Sequence, residues 1–292
     1  MTDKRIQVSF EFFPPATEKM ERVLWTSVER LEPLGPRFVS VTYGADGSTR
    51  DRTHRIVQRI RNETRLTCAP HLTCVGSHRE DVLAIARAYW DAGIRHMVAL
   101  RGDPPQGASS YIPGEGGFAY ASDLVEGLLT VGRFDISVAA YPEVHPEASS
   151  ASADLDNLKR KIDAGGTRAI TQFFYDTAVY LRFRDLCRGA GVKVPIVPGI
   201  LPIAGFSGML RFAAKCGVNV PGRIHERFSG LEDDPETSRM IAASVAIEQV
   251  DELYRHGVRE FHFYTLNRAE LTYAICHALG LRPGRADAEH AA

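Results

Sequence analysis

The 292-residue chain has little net charge, few cysteines and no long apolar run, and each shortage removes a class of function. A formal charge of -1 leaves no electrostatic footprint for nucleic acid or anionic lipid. Five cysteines, Cys68, Cys74, Cys187, Cys216 and Cys276, are an odd number without C-x-x-C spacing, which argues for reduced core thiols over a disulfide framework or zinc site. No stretch approaches the eighteen or so apolar residues of a membrane span, and residues 1–7 lack the apolar centre of a signal peptide. These absences point to a cytoplasmic protein. Motif chemistry is equally sparse: there is no Walker A sequence and no His-Glu-x-x-His. Gly114-x-Gly116-x-x-Ala119 lacks the preceding strand of a dinucleotide fingerprint, and Gly205-Phe-Ser-Gly208 is not a nucleophile elbow. His71, His145 and His262 have no ligand partners at fixed spacing, so they read as hydrogen-bonding histidines and no metal is expected.

What is present is a repeat. Short apolar runs at 8–13, 37–43, 68–73, 96–101, 136–141, 169–174, 194–200 and 260–265 alternate with amphipathic stretches, the sequence form of successive β-α units. Val82, Ile85, Ala86, Tyr89 and Trp90 line one helix face that stops at Gly93; Ala243, Ala246, Ile247, Val250, Leu253 and Tyr254 line another that stops at Gly257. Ser77, Ser122 and Ser152 read as helix starts. Eight such units predict an α/β fold of the (β/α)8 TIM-barrel type, a single domain over 1–283, with a disordered tail at 284–292. An open doubly wound sheet is the alternative, because counting strands does not establish closure. Residues 102–121 form a long Gly- and Pro-rich segment suited to an active-site loop, and 218–236 reads as a polar excursion.

In a barrel the chemistry collects where strands run out at their carboxyl ends. The first strand is the most informative. Its alternation sends Ser9, Glu11 and Phe13 one way and Phe10 and Phe12 the other, which places a carboxylate among aromatic neighbours. Desolvation disfavours its charged form, so a raised pKa and a general-acid role are expected; a half-exposed edge strand with Glu11 in water is the bland alternative. Thr42, Tyr43, His71, Thr73, Arg101, Asp103, Tyr141, His145, Gln172, Tyr175, Pro202 and residues 266–268 stand at the other strand ends. Acids, amides, hydroxyls and rings in this mixture suit a flat heterocycle better than a metal. Lys159, Arg160 and Lys161 alone read as a solvated helix face.

Taken together, Phe10-Glu11-Phe12-Phe13-Pro14-Pro15, Val41-Thr42-Tyr43-Gly44-Ala45, Ala69-Pro70-His71-Leu72-Thr73, Leu100-Arg101-Gly102-Asp103, Ala140-Tyr141-Pro142-Glu143-Val144-His145-Pro146, Thr171-Gln172-Phe173-Phe174 and Phe263-Tyr264-Thr265-Leu266-Asn267-Arg268 resemble the methylenetetrahydrofolate reductases in their short bacterial form, in order and nearly from end to end. The resemblance implies a flavoprotein of one-carbon metabolism and methionine biosynthesis. Such an oxidoreductase reduces 5,10-methylenetetrahydrofolate to 5-methyltetrahydrofolate with FAD and NADH, or NADPH, by ping-pong hydride transfer. It implies Glu11 as the acid that protonates the folate nitrogen, and Asp103 as the acid beside the flavin that also meets the pterin. Tyr43, Ala45, His71, Arg101, Gly102, Ala121, Tyr141, His145, Ala148, Asp154, Asn157, Arg160 and Lys161 match flavin-contacting positions. In this light the basic helix face becomes a phosphate grip. Thr42, Gln172, Phe212 and Arg268 match substrate positions, Thr42 counting among the flavin contacts as well. A homo-oligomer, dimer or tetramer, is expected. Gly208 departs from relatives that carry an amide there, and the loop at 104–120 is longer than in some. A folate-binding methyltransferase barrel without flavin is disfavoured by the matches between Tyr141 and Lys161, and a non-enzymatic binding subunit by Glu11.

Overall fold

Each apolar run becomes a strand in the computed structural model, which describes residues 6–43, 50–103 and 116–284. The strands are β1 (Gln7–Phe12), β2 (Val39–Val41), β3 (Cys68–Thr73), β4 (His96–Leu100), β5 (Asp135–Ala140), β6 (Arg168–Thr171), β7 (Ile196–Val197), β8 (Gly199–Ile200) and β9 (Glu260–Tyr264). Between and after them run α1 (Glu18–Leu31), α2 (Arg50–Glu63), α3 (Arg79–Asp91), α4 (Ala121–Val131), α5 (Ala151–Asp163), α6 (Thr177–Gly189), α7 (Phe206–Lys215), α8 (Gly222–Phe228), α9 (Pro235–Arg255) and α10 (Glu270–Ala278).

The sheet order is β7-β6-β5-β4-β3-β2-β1-β9-β8, with parallel pairing throughout. The two ends of that order, β7 and β8, are separated in sequence only by Pro198. They are halves of one strand that pairs with β6 before the proline and with β9 after it. The ring therefore closes as a (β/α)8 barrel, and the open-sheet alternative is excluded. Pro198 breaks the expected 194–200 strand because it has no N–H for the ladder; its carbonyl still accepts from the His262 N–H at 3.0 Å.

Alternation along the strands divides the core. Phe10 and Phe12, both buried, join Leu24 and Val28 of α1 in the layer between barrel and helices, where each ring contributes roughly 1.5–3 kcal/mol of burial. Phe38, Ala69, Val98 and Ile170 form a smaller separate cluster. At the amino end Arg168, almost fully buried, lies 3.6 Å from Asp135 and 3.7 Å from Glu260, with its guanidinium over the Phe38 ring. A second apolar cluster, including Phe173, Tyr175, Leu201, Ile203, Met209 and Ala213, supports α7 at the carboxyl end.

Several expected starts move. Ser150, not Ser152, caps α5 by accepting from the Ala153 N–H at 3.1 Å. Asp123, not Ser122, accepts the Ala119 and Tyr120 N–H groups before α4, and His78 precedes α3 without a side-chain cap. The 218–236 excursion contains α8, whose Ile224 and Phe228 are buried, a face too short for its period to stand out. The Gly284 N–H donates to the Pro33 carbonyl at 3.2 Å. Ala45, most of the 104–120 loop and the tail beyond 284 lie outside the described residues.

Candidate active site

Glu11 enters the carboxyl mouth on β1 and is held there by two other strands. Its Oε2 lies 3.3 Å from His71 Nε2 on β3 and 3.5 Å from His262 Nε2 on β9. His262 Nδ1 in turn pairs with Ser9 Oγ at 2.7 Å. Burial pushes the Glu11 carboxyl upward, but the two imidazoles outweigh it and hold the pKa at about 2. This corrects the expected elevation. Local sequence exposes the aromatic neighbours in the strand, whereas the opposing histidines arrive from residues 60 and 251 positions away.

The strand ends around Glu11 are fastened to each other. Thr265 Oγ1 donates to the Glu11 carbonyl at 2.6 Å, and the Asn267 side chain both accepts from and donates to the Phe13 backbone at 2.9 Å. To reach this position Leu266 and Asn267 adopt positive φ of 51° and 56°, an uncommon conformation for a branched residue such as Leu266. Tyr264, beside Glu11 in the field of charges, donates to the Thr171 carbonyl at 2.7 Å, just before Gln172. Gly199 leaves room for that contact, since a Cβ there would run into the Thr171 carbonyl and the Tyr264 ring. Tyr264 and Ser9 are site residues that sequence reasoning missed. Their inward register with Glu11 and His262 was the available signal.

A basic quadrant occupies the β4–β5 side. Arg101 pairs with Glu147 at 2.8 Å. The Tyr141 and His145 rings meet edge to face with centroids 4.4 Å apart, and Asp154 accepts the His145 N–H at 2.9 Å. Burial drives the Tyr141 hydroxyl up to about 12, with Asp103 adding to the shift, and lowers the His145 imidazole. Lys161 does not lie on the solvated face: its Nζ donates to the Ala139 carbonyl at 2.6 Å, and burial lowers its pKa to about 8. Arg160 is exposed and bonded to Asn157, so the two adjacent cations point differently. Ala121 begins α4 and Ala148 follows His145 in the β5 loop, while Thr42 and Tyr43 are half-buried just past β2.

Gln172 follows β6, and its Oε1 accepts the Phe173 N–H at 3.1 Å. Phe212 on α7 is 45% exposed and stacks on Phe173 with centroids 5.3 Å apart at 13°. Asp103 and Arg268 are exposed at the ends of β4 and β9. Gly208 stands in open space, where a Cβ would approach only Arg211 Nη2 at 4.0 Å, so the fold leaves room for a side chain there. Among the described residues no cluster of His, Cys, Asp and Glu could hold a metal ion, and no helix is long and apolar enough to cross a membrane.

The fit to a flavin dinucleotide rests on the donor set. Arg101 and Lys161 supply cationic groups on the β4–β5 side, and the buried Thr73 hydroxyl has no hydrogen-bond partner among the described residues. Cations beside rings and an orphaned hydroxyl suit an anionic, aromatic ligand.

Comparison with known proteins gives a consistent result. The family model described as methylenetetrahydrofolate reductase matches residues 1–280. A 5,10-methylenetetrahydrofolate reductase of Pectobacterium carotovorum subsp. carotovorum is 59% identical, over 96% of this chain and 92% of its own. The protein of the same name from Escherichia coli (strain K12) is 57% identical, over 96% and 93%. Among solved structures, an uncharacterised Clostridium thermocellum protein that binds two copies of 5-methyl-5,6,7,8-tetrahydrofolic acid superposes with a TM-score of 0.61 at 15% identity. It covers 94% of each chain and supports the fold alone.

Proposed function

The chain belongs to the methylenetetrahydrofolate reductase family, and we propose that it reduces 5,10-methylenetetrahydrofolate to 5-methyltetrahydrofolate with NADH as donor and FAD as resident cofactor. The observation that carries the reading is Glu11 between His71 and His262 at the barrel mouth, with Gln172 after β6 and the exposed Phe212 ring on α7. NADH over NADPH rests on the family resemblance alone.

FAD, when bound, would supply a hydride carrier that takes a hydride from the nicotinamide and yields it to the folate. Arg101, Gly102, Tyr141, His145, Ala148, Asp154, Asn157, Arg160 and Lys161 would hold it, with Thr42, Tyr43, Ala45, His71, Asp103 and Ala121 completing its contacts. Glu147 holds one Arg101 terminal nitrogen at 2.8 Å and would compete with an anionic cofactor for that guanidinium. Asp103 would accept N–H groups of the pterin edge, and Arg268 would meet the anionic end of the folate. Phe212, stacked on Phe173 by its other face, would offer a ring face to nicotinamide and pterin in turn, as a ping-pong sequence would use it.

Glu11 is the group proposed to protonate the departing folate nitrogen. Holding a proton at pH 7 on a carboxyl of pKa about 2 costs roughly 7 kcal/mol, more than the 10²- to 10⁴-fold gain ordinary for general acid catalysis. The acid is therefore armed only when substrate fills the mouth. Displacing water would raise the carboxyl by desolvation, with His71 Nε2 at 3.3 Å and His262 Nε2 at 3.5 Å keeping it in place. The deciding experiment is the visible spectrum of the purified protein under anaerobic conditions: flavin bands bleached by NADH and restored by methylenetetrahydrofolate support the reading. A protein that neither contains nor takes up FAD overturns it.

A further inference from the structure

The loop after β5 carries Tyr141, His145 and Ala148, three of the residues proposed to meet the flavin, and it is fastened on two sides. On one side Asp154 accepts the His145 N–H at 2.9 Å and Arg101 pairs with Glu147 at 2.8 Å. On the other side the loop meets the end of α7. Glu143 Oε2 accepts the Asn219 N–H at 2.9 Å, a contact between residues 76 positions apart. Pro146 lies against Gly217, where a Cβ would come within 3.2 Å of the proline Cγ. Gly217 has a φ of 68°, the left-handed conformation that glycine adopts without strain as a helix ends.

The end of α7 is a firm anchor. The Cys216 N–H donates to the Phe212 carbonyl at 3.0 Å and the Val218 N–H to the Ala213 carbonyl at 2.9 Å, while Ala213 and Val218 are buried in the cluster that contains Leu201 and Ile203. Glu143 is not placed there by favourable solvation. Its Oε1 is buried without a hydrogen-bond partner among the described residues, and burial, with Asp176 adding to it, raises the carboxyl above its usual range. The Asn219 N–H is the contact that offsets this cost.

Resting on the flavin reading above, we propose that Glu143 is a positioning residue that fastens the flavin-contacting loop to the end of α7, and that FAD binding and order at that helix end are linked through it. With the tie formed, the loop already has its binding shape, so less freedom is lost when FAD arrives. By the reciprocity of linkage, FAD must in turn steady residues 216–219. Glu143 acts through Tyr141 and His145 rather than on the flavin itself.

The test uses the full-length apoprotein and its Glu143→Gln, Glu143→Ala and Gly217→Ala variants, with the Glu143→Ala/Gly217→Ala double variant. Glutamine keeps an oxygen for the Asn219 N–H and removes a charge that burial disfavours; alanine removes the acceptor. Quenching of flavin fluorescence gives FAD affinity, hydrogen exchange at residues 216–219 is followed with and without FAD, and thermal midpoints are recorded alongside. Glu143→Ala is expected to weaken FAD by about two- to tenfold, and Glu143→Gln to stay within about twofold of the native protein. FAD should slow exchange at residues 216–219 in the native and Gln proteins and not in Glu143→Ala. Gly217→Ala, which presses on Pro146, should also weaken FAD, and the double variant should be no weaker than the more affected single variant, because both contacts form one tie. Unchanged FAD affinity in Glu143→Ala overturns the proposal, as do a Gln variant as weak as the Ala variant, FAD-dependent protection that persists in Glu143→Ala, or losses that multiply in the double variant. If the native protein takes up no FAD, the flavin reading itself fails and takes this inference with it.

Discussion

Replacing Glu11 with Gln separates the proton donor from the scaffold that holds it. The amide occupies the same space and keeps an oxygen for His71 and His262, but it has no transferable proton. In the native protein the carboxyl falls from 4.5 to about 2, which corresponds to about 3 kcal/mol of stability. The sign follows from the depressed value: the stability is fully present above pH 4.5 and is lost as pH falls toward 2. About 3 kcal/mol is therefore the ceiling on destabilisation at pH 7, and relief of the buried charge reduces it. Flavin reduction by NADH needs no proton from this group, so its rate should stay within about twofold. Folate reduction should fall by about 10²- to 10⁴-fold. Anaerobic stopped-flow absorbance at the flavin band measures the two steps separately. Unchanged folate reduction refutes the acid assignment; a parallel fall in both steps with loss of FAD makes Glu11 a scaffold residue.

Three further outcomes follow from the geometry. Glu147→Gln breaks the 2.8 Å pair with Arg101 and should tighten FAD binding to the apoprotein by about two- to tenfold, measured by quenching of flavin fluorescence; weaker binding would mean that Glu147 holds the loop in its binding form. Gly199→Ala forces a methyl into the Thr171 carbonyl and Tyr264 ring and should cost about 1–3 kcal/mol in chemical denaturation, whereas a neutral result would show that this part of the barrel can shift. Acidification should weaken the amino end of the barrel in two stages, because burial lowers the His96 imidazole below 6.5, while Thr167 and Arg168 outweigh burial and lower Asp135 below 3.8. The unfolded chain takes up these protons more readily in both cases, so stability falls first below about pH 6.5 and again below about pH 3.8; His96→Gln should flatten the first limb of a thermal-midpoint profile.

Much of this protein was legible as a string. Repeated apolar runs and glycine stops such as Gly93 and Gly257 specified the β-α units, because side-chain periodicity is a local property of strands and helices. Motifs at the strand ends carried the family. Closure required three dimensions, since the break at Pro198 gives one short strand two partners at opposite ends of the sheet order. The direction of the Lys161 side chain also escaped the sequence, because a helix position near the boundary of two faces can turn either to water or to the Ala139 carbonyl. Phe212 was legible as a candidate ring, but its stacking on Phe173 was not. The charge state of Glu11 was the furthest from reach: its aromatic neighbours are adjacent in the chain, while His71 and His262 come from distant strands, and Coulomb interactions depend on distance in space. Sequence determined which groups the barrel carries to its mouth; tertiary structure decided which of them meet, and so which hold charge.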